Sequence, residues 1–451
     1  MDSQFTQREQ PRMLAELNEF LAIPSISTLP AHASDCRRAA QWVADHLGRL
    51  GCTASLLEGD GHPIVWAESP AVPGAPTLLI YGHYDVQPTD PIDKWVSPPF
   101  EPTIRSGQVF ARGAVDDKGQ VYCLLKAYEA ARDGHGRPPI NVRFLIEGEE
   151  ECGGHFIAEL LKAEPERAHA DAILVCDMSY YAKGWPAVYT ALRGMCYAEL
   201  EVRTAQRDLH SGTYGGVAPN ALETLCRMLM DLKQRDGRIA MPDLYARIDP
   251  PTKAELHGWN SLPFDAREFL RDEVTGKALT GLQDYSVFER TWALPTFEIH
   301  GIRGGFVGDG AKTVIPAVAT AKISMRLVPG LSYEFAREQL RDACGRVAPD
   351  YADWDLRFIH GADPVQVNVT QTAFKTLDRA FEEVVGRATV AIRAGGSIPV
   401  VTDLARGGAP VLLTGIGLPD DGLHSPNEKL DLQQLWDGIN VFGRFFEMLA
   451  E

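Results

Sequence analysis

Apolar and polar positions follow two different rhythms along the chain, and each predicts a different kind of sheet. Up to about residue 190, continuous apolar runs alternate with amphipathic stretches. TLLIYGHYD (77–85), NVRFLIEGEE (141–150) and AILVCD (172–177) read as buried strands, and KGQVYCLLKAYEAARDG (118–134) and GGHFIAELLKAE (153–164) as helices. Strands buried on both faces and joined by helices imply a mostly parallel sheet flanked by helices, an α/β architecture. From about Tyr189 the period changes. MCYAELEVR (195–203) alternates like a half-exposed strand, and TFEIHGI (296–302), AKISMRLVPG (321–330) and DWDLRFIHG (353–361) read as further strands. PNALETLCRMLMDLKQ (219–234) and SYEFAREQLRDAC (332–344) read as amphipathic helices. Antiparallel strands with two helices on one face, an α+β sandwich, satisfy that order.

After Pro364 the first rhythm returns, with a helix at 372–386, a strand in APVLLTGIG (409–417) and a last helix at 432–449. The expected organisation is therefore one domain made of 1–190 and 364–451, interrupted by an inserted domain, 191–363. Insertion is permitted when the ends of the inserted piece emerge close together. The stretch from Gly237 to Leu294 is polar and Pro-containing, and its pattern fits no element.

At 451 residues the chain exceeds what one compact core usually holds, in keeping with two domains. Asp plus Glu number 61 against 44 Lys plus Arg, a formal net charge of −17. An acidic surface of this kind argues against nucleic acid or an anionic membrane as partner. No apolar run is long enough to span a bilayer, and the N-terminal stretch lacks a signal-peptide apolar core, so a cytoplasmic location is expected. Eight cysteines without a C-x-x-C pair read as small buried hydrophobes in a reducing compartment.

The chemistry collects just past the apolar runs. His83 and Asp85 are two apart at a strand end, so both side chains can share a face. A ligating histidine commonly gives its other ring nitrogen to a carboxylate, the role expected of Asp85. Asp116 and Asp117 lie between Gly113 and Gly119; Asp116 is the candidate to bridge two cations, and Asp117 reads as a helix N-cap. Glu149, Glu150 and Glu151 follow the run NVRFLIEG. Adjacent glutamates can divide the labour, Glu151 as a ligand and Glu150 as general base, then acid. Asp177 ends AILVCD and is a further ligand candidate. The summed charge of these carboxylates fits two divalent cations, because unpaired buried charge is costly. Imidazole with carboxylate suits zinc, and manganese and cobalt as well.

YGHYDVQP, ARGAVDDKG, EGEEECGG, VCDM, RDLHSGTYGG, RAGGSIP, GAKTVIP and DDGLHSPNEK, spread over about residues 80–430, together resemble the dinuclear zinc peptidase family. The likeness is closest to its carnosinase and cytosolic nonspecific dipeptidase-like branch. The resemblance implies a zinc-exopeptidase-like catalytic domain with an inserted lid and dimerisation domain. It implies that His83, Asp116 and Asp177 serve one metal, and that Asp116 bridges to Glu151 and His424 on the other. Glu150 would be the base, Asp85 the supporting acid, and the Asp116–Asp117 peptide cis. His210 would reach the active site of a partner subunit in a homodimer and stabilise the oxyanion there. Thr313, Arg326, Arg393 and Ser397, with His210, would hold a small peptide substrate. Ala394 departs from the pattern, since this branch usually has Glu after that arginine, which bears on substrate preference. The implied activity is a metal-dependent dipeptidase or exopeptidase. An N-acyl amino acid amidohydrolase, a metal-binding homologue without catalysis and a dinuclear phosphoesterase are the alternatives.

Overall fold

In a computed structural model of the chain, residues 3–368, 371–396, 398 and 400–451 are described, and contacts divide them into two units. The first comprises Met1–Thr190, Val367–Ile392 and Ile398–Glu451, and the second Ala191–Gln366 with Arg393–Ser397.

The sheet of the first unit is built on β1 (Thr53–Leu57), β2 (Ile64–Glu68), β3 (Thr77–His83), β4 (Asn141–Glu147), β5 (Ala172–Cys176), β6 (Ala187–Leu192) and β7 (Val411–Thr414). Their order is β1-β2-β4-β3-β5-β7-β6. The four central strands β4, β3, β5 and β7 are mutually parallel. The flanking pairings, β1 with β2, β2 with β4 and β6 with β7, are antiparallel. β5 and β7 are buried along their whole lengths, as strands covered on both faces must be. The covering helices include α1 (Ser3–Leu21), α2 (Ala33–Arg49), α3 (Lys118–His135), α4 (His155–Ala163), α5 (Thr372–Val385) and α6 (Leu432–Leu449). α3 is the most enclosed, since every residue from Ala111 to Ala131 is buried. Even Lys118 is inside, where its Nζ donates to the carbonyls of Ile23 at 2.5 Å and Phe20 at 3.2 Å. Parallel strands leave their carboxyl ends on one edge, where open α/β sheets present ligands.

The second unit carries a four-stranded antiparallel sheet ordered Thr296–Gly304, Val318–Leu327, Gly194–Arg203, Asp353–Ala362. Burial along Gly194–Arg203 alternates strictly, the period-2 signal read in the sequence. Its inward side chains Cys196, Ala198, Leu200 and Val202 pack with Leu225 and Met228 of the helix Ala221–Leu232 and Leu340 of the helix Tyr333–Val347. The stretch without a legible pattern forms short helices at Pro242–Arg247, Lys253–Asn260 and Ala266–Phe269. Trp259 is buried there edge-on against Trp292, which stacks in turn on Phe288.

All eight cysteines are free, six of them buried, and Cys152 and Cys226 are exposed. Among the described residues no helix is long and apolar enough to cross a membrane.

Candidate metal centre

Three strand ends and two loops of the first unit bring the predicted ligands together. His83 is the last residue of β3, Asp177 follows β5, and Glu151 sits in a short turn, Glu150–Cys152, beyond β4. Asp116 lies on the loop ahead of α3, and His424 on the loop before α6. Ligand atoms of His83, Asp117 and Asp177 lie within 4.8 Å of one another, as do those of Asp116, Glu151 and His424. Asp116 joins the two groups. Its Oδ1 is 3.2 Å from His83 Nε2, and its Oδ2 is 2.9 Å from His424 Nε2. His83 Nε2 is also 3.8 Å from Asp177 Oδ1, and His424 Nε2 is 3.4 Å from Glu151 Oε2. One carboxylate thus turns an oxygen toward each half, as a bridging ligand must.

His83 is fully buried and its orientation is set from behind. Its Nδ1 lies 3.1 Å from the Asp85 carbonyl and 3.3 Å from Asp85 Oδ1. Nε2 therefore faces the site, buried and without a hydrogen-bond partner. Asp85 Oδ2 also accepts from Ser27 Oγ at 2.6 Å and from the Glu151 amide at 3.1 Å. The one aspartate thereby holds both His83 and the Glu151 turn in place.

The electrostatics ask for positive charge. Burial pushes Glu151 up to about 8, with Asp116 adding to the rise, and burial raises Asp177 although His83 opposes it. Burial would also raise Asp116, but His424 and His83 hold its carboxyl below the usual range. Hydrogen bonding to Asp116 in turn raises His424, while Asp116, Asp177 and Asp85 push His83 up against its burial. Carboxylates buried together in this way are costly to ionise without compensating positive charge, which divalent ions supply. The donor set of imidazole nitrogen and carboxylate oxygen, with an orphaned buried nitrogen at its centre, fits a pair of such ions.

Three consecutive glutamates take three different positions. Glu149 Oε2 accepts from the Phe156 amide at 3.3 Å, in the first turn of α4. Glu151 Oε2 accepts from Gln87 Nε2 at 2.7 Å and faces His424. The Glu150 side chain has no hydrogen bond or ion pair among the described residues. Burial, with Asp177, Glu151 and Asp116 nearby, pushes its carboxyl well up.

The structure corrects one expectation here. Asp117 occupies the N-cap position of α3, but its side chain makes no cap hydrogen bond. Its Oδ2 instead accepts from the His83 amide at 3.1 Å, beneath the site. The Asp116–Asp117 peptide is cis, as the resemblance implies. Gly119 is required for contact, since a Cβ there would meet the Ala114 carbonyl oxygen at 1.8 Å.

Sequence reasoning missed Glu428. It is wholly buried, and its Oε2 accepts from Arg112 Nη1 at 2.8 Å and the Gly113 amide at 2.9 Å. Its Oε1 accepts from the amides of Val115 at 3.0 Å and Asp116 at 3.1 Å. All its acceptor sites are used to tie the Asp116 loop to the strand of chain that follows His424. His424 itself is held at φ 57°, a left-handed conformation that such tethering sustains. Groups behind the ligands typically govern metal affinity about 10- to 100-fold. Glu428→Gln, which turns an amide donor toward two of these four donors, is expected to weaken metal binding by that factor with the fold intact. Chelator competition reads it, and unchanged affinity would remove Glu428 from the site.

The remaining candidates lie in the second unit. His210 is exposed, and its Nδ1 accepts from the Gly212 amide at 2.9 Å. An amide only donates, so the neutral ring carries its proton on Nε2. His210 pairs with Val314 across two short strands, and the adjacent Thr313 carbonyl accepts from the Ser211 amide at 3.2 Å. Arg326, half-buried on Val318–Leu327, lines a cavity of about 470 Å3 with Arg193, Tyr197, His300 and His360. Arg393 is buried, and its fork is engaged by Glu255, Nε to Oε1 at 2.8 Å and Nη2 to Oε2 at 3.0 Å. Its Nη1 is buried without a hydrogen-bond partner. Ser397 lies outside the described residues.

Comparison with known proteins agrees with this geometry. The human "Beta-Ala-His dipeptidase" is 30% identical over 469 residues, covering 99% of this chain and 92% of that protein. The "Cys-Gly metallodipeptidase dug1" of Schizosaccharomyces pombe is 30% identical over 464 residues, covering 98% of this chain and 96% of that protein. The solved structure of human carnosine dipeptidase 1 superposes with a TM-score of 0.83 at 30% identity, covering 99% of this chain and 98% of the other. That of the di-peptidase Dug1p from Saccharomyces cerevisiae gives 0.83 at 26%, with the same coverage. The model of Peptidase family M20/M25/M40 matches residues 79–448, most of the chain, and the chain belongs to that family.

Proposed function

We propose that this protein is a metal-dependent dipeptidase that hydrolyses small peptides, as the names of its relatives suggest. The observation that carries the reading is the placement of Asp116 between two ligand groups, with Glu150 left unpartnered beside them. His83, Asp116 and Asp177 would hold one divalent cation, and Asp116, Glu151 and His424 the other. Zinc suits these ligands, and manganese or cobalt would fit them too. When bound, the ions would acidify a water molecule and polarise the peptide carbonyl. Glu150 takes the proton from that water and returns it to the departing nitrogen, while Asp85 keeps His83 in the required tautomer.

In this reading residues 191–363 form a lid and dimerisation domain on a catalytic domain of 1–190 and 364–451. The edge strand Thr296–Gly304 supports a homodimer, because it exposes Ile299 and Ile302, and the exposed Phe306 and Val307 follow it. His210, its Nε2–H free to donate, would stabilise the oxyanion in the partner's site. Arg326 and Arg393, with Thr313 and Ser397, would hold the substrate's terminal carboxylate, and Glu255 would fix the Arg393 fork. The free thiols agree with the reducing conditions of the cytoplasm.

Purified protein loaded with zinc or manganese is expected to hydrolyse members of a dipeptide panel and to lose that activity on chelation. Hydrolysis of N-acetyl amino acids alone would favour an amidohydrolase, and inertness on both sets would refute an enzyme. The same assay with sedimentation on dilution reads the dimer, since a fully active monomer overturns the trans role of His210.

A further inference from the structure

One carboxylate close to this site has no part in the reading above. Glu147 ends β4 and is 2% exposed. Its Oε1 accepts from the Tyr81 hydroxyl at 2.7 Å, whereas Oε2 is buried with no hydrogen-bond partner. Glu147 lines a cavity of about 50 Å3 with Tyr81, Glu150, Gly154, Ile157 and Asp403. Asp403 is paired with Arg406 Nη1 at 2.6 Å, but among the described residues no cationic side chain pairs with Glu147 or Glu150.

An unsatisfied buried acceptor is costly, and an ionised one more so, so native structures keep such a group where something supplies the donor. An ammonium brings three donors and the matching charge. The location suits one. Glu147 lies opposite His83 in the parallel pairing of β4 with β3, and neighbouring strands are about 4.8 Å apart. Glu150 forms a wall of the cavity, and its neighbour in the chain, Glu151, belongs to the ligand cluster. In a peptide the terminal nitrogen stands two bonds from the carbonyl carbon of its own residue, or three in a β-amino acid. A carbonyl addressed by Glu150 therefore carries its ammonium next to Glu150, where the orphaned oxygen waits.

We propose that this cavity receives the free ammonium group of the substrate's amino-terminal residue, with Glu147 Oε2 as its main acceptor. The proposal rests on the dipeptidase reading and sharpens it, because the substrates become peptides with an unblocked amino terminus. Ile157 and the other apolar wall atoms exclude water from that contact, and Tyr81 fixes the carboxylate's rotation.

The test compares alanyl-leucine with propionyl-leucine, which differ only by the ammonium, on metal-loaded protein. The ratio of their kcat/KM values is expected to fall about 10- to 100-fold in Glu147→Gln, the worth of a hydrogen bond between charged groups, chiefly through KM. Metal stoichiometry should not change. Tyr81→Phe should lower the ratio by a smaller factor, and it decides the matter if Glu147→Gln does not fold. A ratio that stays at the wild-type value, even with both rates reduced, overturns the proposal and leaves the cavity to solvent. If wild-type protein cleaves neither compound, the dipeptidase reading fails and this one with it.

Discussion

Glu150→Gln is expected to retain both cations and to lose between about 100- and 10,000-fold in kcat, the usual contribution of a positioned general base. The expectation follows from how the three glutamates of this turn are engaged. Glu149 is held by the Phe156 amide and Glu151 by Gln87, which leaves Glu150 alone with an unencumbered carboxylate. Its burial among Asp177, Glu151 and Asp116 raises its proton affinity, a useful property in a group that must accept a proton and release it again. Glutamine preserves shape and removes the exchangeable proton, so a loss confined to kcat, with metal content and KM little changed, identifies proton transfer. Measured by elemental analysis beside steady-state kinetics, a variant keeping more than about a tenth of wild-type turnover would refute the assignment.

How much of this was legible in the sequence depends on the reach of the interactions. His83, Glu151 and Asp177 each stand at or just beyond a buried apolar strand, so period and position were enough to suspect them. The mostly parallel sheet and the alternating strands of the second unit were legible for the same reason, since both are local patterns of burial. His424 was different. Nothing around it distinguishes a ligand from an ordinary loop histidine, and only the likeness of its motif pointed there. Glu428 could not be read at all, because its meaning lies in four hydrogen bonds to a loop more than 300 positions earlier in the chain. Glu255 likewise pairs with Arg393 across 138 positions, from a stretch whose pattern fitted no element. Asp117 shows the opposite failure. Its place ahead of a helix made a cap the natural reading, but its Oδ2 accepts from the buried His83 amide, a partner 34 positions away that no local pattern announces.

Asp116→Asn should have the broadest effect of any single substitution in the first unit, because it strikes both ligand groups at once. The aspartate presents Oδ1 to His83 and Oδ2 to His424, while its amide is fixed by Glu428. An asparagine in the same place keeps one oxygen, replaces the other with an amide nitrogen that cannot ligate, and removes a full charge from a site whose balance depends on it. Stoichiometry is expected to fall from two cations to one or none, with turnover lost beyond detection. Stability gives a second and independent readout. Ions that bind only the folded chain stabilise it by RT ln(1 + [L]/Kd), about 4 kcal/mol at a thousandfold excess over Kd. Chelation should therefore lower the Tm of the wild-type protein clearly and that of Asp116→Asn much less, because the variant has less binding to lose. A variant that still binds two ions at wild-type affinity, with an unchanged response to chelator, would mean that Asp116 only neighbours the cations and that each group holds its ion without a shared oxygen.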